Sequence, residues 1–257
     1  MSMKEICADL KAECDVLDDI VSELDNAGWA TKTYCDGWTI KEEIAHLAYG
    51  DNRALLCATD PEAFEAQKKA SEAGDPTARD AVKALEDMDP QDLLATWRAD
   101  RAAQLDAFSR LDPKHRVPWY GPPMSARSKA TARLMETWAH GQDVVDVTDA
   151  MRPPTDRLRH VCHIGVITFG WSFTTNQLDV PETPVRIALN GPSGDLWPWG
   201  PEDATDAIIG NAEEFCLVVT QRRHREDTNL LITGETASKW MSISQAFAGP
   251  LDKHPPP

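Results

Sequence analysis

The sequence is poor in positive charge and has no long apolar run. Its 257 residues include 26 Lys and Arg against 42 Asp and Glu, which gives a formal net charge of −16 at pH 7. A surface of that sign repels a phosphate backbone, so we expect no nucleic-acid partner. No stretch approaches the roughly 20 apolar residues of a membrane helix, so we expect no membrane partner either.

Paired-cysteine motifs are also missing, and we expect no leader segment. The six cysteines form no CxxC pair, and most lie in apolar helical patterns. This arrangement is typical of reduced, buried thiols. The first ten residues, MSMKEICADL, are amphipathic and have no apolar h-region, which predicts no secretory signal. We therefore expect a cytoplasmic protein, long enough to bury a sizeable core.

Apolar residues at helical spacing dominate the first two thirds of the chain. Their period predicts helices over 4–27, 40–59, 90–111, 128–147 and 155–173. Small, charged and proline residues fill the segment 60–90, where we expect short exposed helices or a mobile excursion. The string VPWYGPPM (117–124) cannot continue a helix, which predicts a rigid aromatic loop.

The pattern changes after Gln177. Alternating β-branched residues over 185–189 stop at Asn190-Gly191, and aromatic residues resume at Trp197, which predicts a β-hairpin. A helix, a short strand and a last helix are expected beyond residue 211. We therefore predict an α+β chain with a helical bundle over 1–178, a small α/β domain over 179–257, and the active cleft between them.

The most specific chemical pattern is Glu136 with His140, because residues i and i+4 project from the same face of a helix. His46, beside Ala45 and Leu47, faces the bundle core if those apolar neighbours turn inward. Two imidazoles and one carboxylate form the donor set of a catalytic metal site with an open position. The alternative is that both histidines are satisfied core residues and Glu136 pairs with Arg133.

Several strings carry a family resemblance. TIKEEIAH (39–46) and TARLMETWAHGQDV (131–144) resemble the DinB-like four-helix superfamily, in particular its branch of mycothiol-dependent maleylpyruvate isomerases. The strings over 117–147, 154–166 and 215–230 resemble an uncharacterised family of predicted metal-binding proteins within that branch. The region after 178 resembles a small α/β domain grouped with an accessory part of wyosine-forming enzymes.

This resemblance implies a DinB-like four-helix bundle and a divalent cation, with zinc the expected metal. By motif, the ligands fall on His46, Glu136 and His140. In the thiol-dependent relatives the cation holds the sulfur of a low-molecular-weight thiol as thiolate. Arg222 and Arg223 are then candidates for the carboxylates of the thiol or of an acidic substrate. The alternative is that both are surface charges at a helix C-terminus.

Five further side chains are candidates for binding. Trp119 and Tyr120, with Met124, either line the mouth of the pocket or plug the end of the bundle. His160 and His163 are three residues apart on a predicted helix. They are candidates for a second metal or for acid–base work, or they make a buried contact.

Asp51 and Asp143 lie near the proposed ligands in sequence, and a metal-bound imidazole needs a partner on its other nitrogen. We therefore expect these two carboxylates to orient the ligands, with Asp143 close to the reaction because it follows His140 by three residues.

These features predict a divalent-metal-dependent enzyme, a thiol-dependent transferase or isomerase that acts on a small acidic or electrophilic molecule. No Ser-His-Asp elbow, Walker loop or dinucleotide fingerprint occurs in the sequence. Two alternatives stay open. One is a non-catalytic metal- or ligand-binding protein, a homodimer through its exposed bundle face, and the other is a metal-dependent hydrolase without a thiol.

Overall fold

Four helices of equal length organise the first part of the chain in a computed structural model, which describes residues 2–35, 37–121 and 123–247. Each has 20 residues: α1 (Met3–Ser22), α3 (Ile40–Thr59), α6 (Pro90–Ser109) and α7 (Ala126–Val145). α1 and α3 each pack against both α6 and α7. The predicted four-helix bundle is therefore confirmed.

Local capping fixes where α3 begins. The Thr39 hydroxyl accepts from the backbone N–H of Glu42, and the Glu42 carboxylate accepts from the backbone N–H of Thr39 at 2.6 Å. This reciprocal pair satisfies donors that the first helical turn leaves open. The start of α3 at Ile40 follows from these contacts, and with it the face on which His46 lies.

Three short helices and a small hairpin complete this part: α2 (Asn26–Trp29), α4 (Pro61–Glu72), α5 (Thr77–Glu86), β1 (Arg116–Val117) and β2 (Met124–Ser125). The segment 60–90 thus forms helices, one of the two predicted outcomes. Asp60 accepts from the backbone N–H of Ala63, and Pro61 occupies the first turn of α4, where its missing N–H costs nothing.

The second part combines helices with a mixed sheet. Its elements are α8 (Leu158–Ile167), α9 (Phe169–Thr175), β3 (Val185–Asn190), β4 (Leu196–Trp199), β5 (Asp206–Asn211), α10 (Ala212–Val219), β6 (Leu231–Thr233) and α11 (Glu235–Ile243). The sheet order is β4-β3-β5-β6. β3 and β4 form the predicted antiparallel hairpin, whereas the parallel pairing of β3 with β5 was not predicted.

The chain divides into two compact units, Met1–Ala150 and Met151–Pro257. This division lies earlier than the predicted boundary near 178, because α8 packs on α10 and belongs to the second unit. The Sγ atoms of Cys162 and Cys216 are 3.4 Å apart across this contact. A Cβ at Gly165 would lie 2.8 Å from Val219, so glycine permits the close approach of the two helices.

None of the six cysteines, all of which lie within the described residues, forms a disulfide bond. Within the described ranges, no helix is both long enough and apolar enough to cross a bilayer.

Candidate metal centre

Three predicted ligands meet where α3 packs against α7. His46 lies on α3, and Glu136 and His140 lie one turn apart on α7. The Glu136 Oε2 atom is 3.3 Å from Nε2 of His46 and 3.5 Å from Nε2 of His140. The two imidazole centroids are 4.5 Å apart. Two imidazole nitrogens and one carboxylate oxygen thus lie within 4.8 Å of one another and fit a single cation.

The cluster is open to solvent on one side. The side chains of His46 and Glu136 are 38% and 23% exposed, whereas that of His140 is 9% exposed. A cation held by these three donors would therefore be reachable from solution. A structural zinc site, in contrast, is closed by four protein ligands.

The second nitrogen of His140 has its own partners. Nδ1 lies 2.7 Å from Oε2 of Glu43 and 3.5 Å from Oδ2 of Asp143. The other oxygen of Glu43 accepts from the Thr33 hydroxyl at 2.5 Å. An ionised carboxylate only accepts hydrogen bonds. Nδ1 of His140 therefore carries a proton and donates a hydrogen bond to Glu43. Nε2 is then the nitrogen that can offer its lone pair to a metal once its own proton is displaced.

The charges around His140 favour a bound cation. Burial raises the pKa of the Glu136 carboxyl, but hydrogen bonds and charge from the two histidines outweigh it and hold the pKa well below its usual value. Burial lowers the pKa of His140, but hydrogen bonds to Asp143, Glu136 and Glu43 outweigh it and raise the pKa well above its usual value. Three carboxylates around one imidazole leave excess negative charge that a divalent cation neutralises.

The pKa of His46 lies below its usual value, because burial and the charge of His140 both lower it. The hydrogen bond to Glu136 raises this pKa but does not outweigh them. The neutral imidazole is the form that binds a metal. The donor set therefore fits a divalent cation, which binds His140 by displacing the proton on Nε2.

Sequence reasoning missed three residues near the cluster. The Trp38 ring is stacked on His140, with centroids 6.1 Å apart and 13° between the planes. Cys35, Glu43, His140 and Asp143 form a second group of donor atoms within 4.8 Å of one another. The sequence pattern could have identified Glu43, because it is an acidic residue on the core-facing stripe of α3. No sequence pattern pointed to Cys35 or Trp38.

A buried ion pair lies between the same two helices. Nε of Arg133 donates to Oδ1 of Asp51 at 2.9 Å, and Nε1 of Trp97 donates to Oδ2 at 3.0 Å. Asp51 therefore does not orient a ligand imidazole, and that expectation is wrong. Arg133 pairs with Asp51 rather than with Glu136, so the alternative in which Arg133 neutralises Glu136 is wrong as well.

The aromatic loop packs on α4 in the same unit. Trp119 is stacked on Phe64 with centroids 5.6 Å apart, and the Lys129 ammonium lies over the Trp119 ring. Tyr120 contacts both Phe64 and Trp119. Tyr120 also lines a cavity beside Tyr49. A binding role for these two residues stays a prediction.

The remaining candidates belong to the second unit. Arg222 is buried, and its Nη1 donates to the Thr220 carbonyl at 2.7 Å. Nη1 of Arg223 donates to the Arg222 carbonyl at 2.6 Å. On α8, His160 is buried and His163 is exposed. Within residues 2–35, 37–121 and 123–247, these two histidines belong to neither of the two clusters of possible metal ligands described above. The roles of all four residues stay predictions.

Comparison with known proteins places this site in a family. The family described as mycothiol maleylpyruvate isomerase N-terminal domain matches residues 10–145, which hold all three candidate ligands. Two uncharacterized proteins of Mycobacterium tuberculosis, from strains CDC 1551 and H37Rv, are 44% identical to this chain over 245 residues. Each match covers 95% of this chain and 95% of the relative.

Solved structures agree with the fold. The crystal structure of a mycothiol-dependent maleylpyruvate isomerase aligns with a TM-score of 0.57 at 18% identity, over 90% of this chain and 93% of that chain. A point mutant of that enzyme gives a TM-score of 0.57 at 17% identity. The α+β fold is therefore shared.

Proposed function

The chain belongs to the mycothiol maleylpyruvate isomerase N-terminal domain family, and on that premise we propose that it is a divalent-metal-dependent enzyme. It uses a low-molecular-weight thiol to transfer or isomerise a small acidic or electrophilic molecule. Zinc is the proposed metal, since two imidazoles and a carboxylate are typical zinc ligands at catalytic sites. The convergence of His46, Glu136 and His140 on one solvent-accessible point carries this proposal.

Each residue of the cluster has a separate task. A divalent cation bound there lowers the pKa of a coordinated thiol or water, which supplies a nucleophile at neutral pH. Glu43 holds the His140 ring in one tautomer by accepting from Nδ1, and Asp143 lies 3.5 Å from the same atom. The Trp38 ring covers both imidazoles and limits the access of water on that side.

The negative charge of a small acid needs a cationic partner. Arg222 and Arg223 in the second unit are the guanidinium groups that we propose for this task, because guanidinium groups bind carboxylates in a bidentate geometry. Substitution of either by Met is expected to raise KM for an acidic substrate more than it lowers kcat.

The test is turnover by the zinc-loaded chain with mycothiol and maleylpyruvate, the thiol and substrate named for the family. A panel of other unsaturated acids extends the substrate range. We expect product only when metal and thiol are both present, and loss of product in His140→Ala. His115→Ala is the matched control, since this histidine is exposed on a loop and is expected to keep full turnover.

Two results would contradict thiol-dependent turnover. Metal binding without product from any acid would support a non-catalytic metal-binding protein instead. Product that forms in the absence of thiol, and still requires His140, would support a metal-dependent hydrolase.

A further inference from the structure

The cavity that Tyr120 lines beside Tyr49 lies in the first unit, between α3, α4, α5 and α6. Its volume is about 490 Å³, which is in the range of small-molecule pockets. None of the three candidate metal ligands lines it. Arg53 follows His46 by seven residues on α3, two turns or about 10 Å along the helix axis. The cavity is therefore a site separate from the candidate metal centre.

Arg53 gives this cavity a cation without an acidic partner. Its Nη1 donates to the Gln67 side-chain carbonyl, and its Nη2 donates to Oδ1 of Asn52 at 3.2 Å. Nε is buried and has no hydrogen-bond partner. Across the part of the chain that the structure describes, no carboxylate pairs with this guanidinium. A buried donor left unpaired is unfavourable, and two oxygens of a ligand carboxylate match the fork of a guanidinium.

The rest of the lining combines aromatic and apolar residues with polar ones such as Ser71, Thr77 and Thr96. Tyr49 and Tyr120 supply two phenol rings, and Arg53 lies over the Tyr49 ring with Cζ 5.6 Å from its centroid. Ala70 and Leu85 are among the apolar residues on α4 and α5. Such a surface accepts an uncharged hydrocarbon body at little cost.

Two acidic groups line the cavity, Asp75 between α4 and α5 and Asp100 on α6. Asp75 accepts hydrogen bonds from the backbone N–H and the hydroxyl of Thr77. Burial raises the pKa of the Asp100 carboxyl, against a hydrogen bond from Asn52 that lowers it. These two carboxyl groups disfavour a second negative charge on the same ligand. Charge and lining therefore favour a ligand with one anionic end.

We propose that this cavity binds a small organic monocarboxylate with an apolar body, whose carboxylate pairs with Arg53. The ligand binds independently of the metal centre, so the site is a second ligand site rather than part of the proposed reaction.

Fluorine NMR of 4-fluorobenzoate tests this directly, with 4-fluorobenzamide as the neutral analogue. We expect the acid to bind the wild-type chain at least 10-fold more tightly than the amide. Arg53→Gln is expected to weaken binding of the acid about 10-fold or more, because it removes a charge-assisted pair. Arg79→Gln, an exposed arginine of α5 outside the lining, is the matched control and is expected to bind normally.

Two further variants keep the test decisive. Ala70→Phe fills the cavity without changing charge, so it is expected to abolish binding even if Arg53→Gln perturbs folding. His46→Ala is expected to bind 4-fluorobenzoate as the wild type does, which separates this site from the candidate metal centre.

Three outcomes would overturn the proposal. One is equal binding of acid and amide, and another is loss of binding in His46→Ala with retention in Arg53→Gln. The third is displacement of 4-fluorobenzoate by inorganic phosphate at equal concentration, which would indicate a general anion site.

Discussion

Glu43 and His140, 97 residues apart in sequence, form a buried hydrogen bond of 2.7 Å between a carboxylate oxygen and Nδ1 of the imidazole. This bond determines which nitrogen of His140 faces Glu136 and His46. The candidate metal centre therefore depends on a residue that is not itself one of its three proposed ligands.

Replacing Glu43 by Gln is expected to weaken zinc affinity about 10-fold to 100-fold, because a neutral amide holds the imidazole less firmly and lowers its basicity. Competition with a chromophoric chelator measures this affinity. Glu72→Gln, an exposed carboxylate on α4, is the matched control. Equal zinc affinity in Glu43→Gln and the wild type would contradict an orienting role.

Gly50 leaves space for the Arg133 guanidinium, and a Cβ there would lie 2.5 Å from Nη1 of Arg133. Gly50→Ala is therefore expected to destabilise the chain by about 1–3 kcal/mol through overpacking. A glycine-to-alanine change inside a helix otherwise stabilises by about 1 kcal/mol, so the sign of the effect is informative. Urea unfolding measures the change in the free energy of unfolding.

The control for this substitution is Gly170→Ala in α9, where the nearest atom would lie 3.6 Å from the new Cβ. It is expected to be neutral or slightly stabilising. Stabilisation of the chain by Gly50→Ala would show that Arg133 moves without cost and would contradict the packing described here.

Asp18 joins α1 to α6 through Arg98 and Arg101, and Nε of Arg98 donates to Oδ2 at 2.9 Å. Burial raises the pKa of the Asp18 carboxyl, but the two guanidinium groups outweigh it and lower the pKa below its ordinary 3.8. The stabilisation is therefore present above that value and is lost as the pH falls through the folded-state pKa. Asp18→Asn is expected to cost about 2 kcal/mol at pH 7.

Urea unfolding at pH 7 and at pH 3 tests this dependence. The difference between wild type and Asp18→Asn is expected to be smaller at pH 3, where the unfolded carboxyl is largely protonated. A constant difference at both values would show that the charge of Asp18 contributes nothing.

Local signals predicted the elements, and long-range contacts set their arrangement. Helical spacing located α3 over 40–59, and the turn at Asn190-Gly191 located the hairpin. The parallel pairing of β3 with β5 depends on contacts that no local pattern encodes. The division at Ala150 and Met151, earlier than the predicted boundary near 178, has the same cause, since only the packing of α8 on α10 shows to which unit α8 belongs.

The three donors were predictable because helical spacing places Glu136 and His140 on one face and family resemblance adds His46. The partners of His140 were only partly predictable. Asp143 follows His140 on the same helix, whereas Glu43 and Trp38 reach it from distant positions in the chain. Asp51 lies near His46 in sequence and was expected to orient a ligand imidazole, but it accepts hydrogen bonds from Arg133 and Trp97.

The central claim is that His46, Glu136 and His140 hold one divalent cation together. Zinc content per chain after reconstitution and gel filtration, measured by mass spectrometry, tests it most directly. We predict one zinc per wild-type chain and per His115→Ala chain, and close to none in His46→Ala, Glu136→Gln and His140→Ala. A wild-type chain without zinc, or variants that retain it in full, would contradict the account.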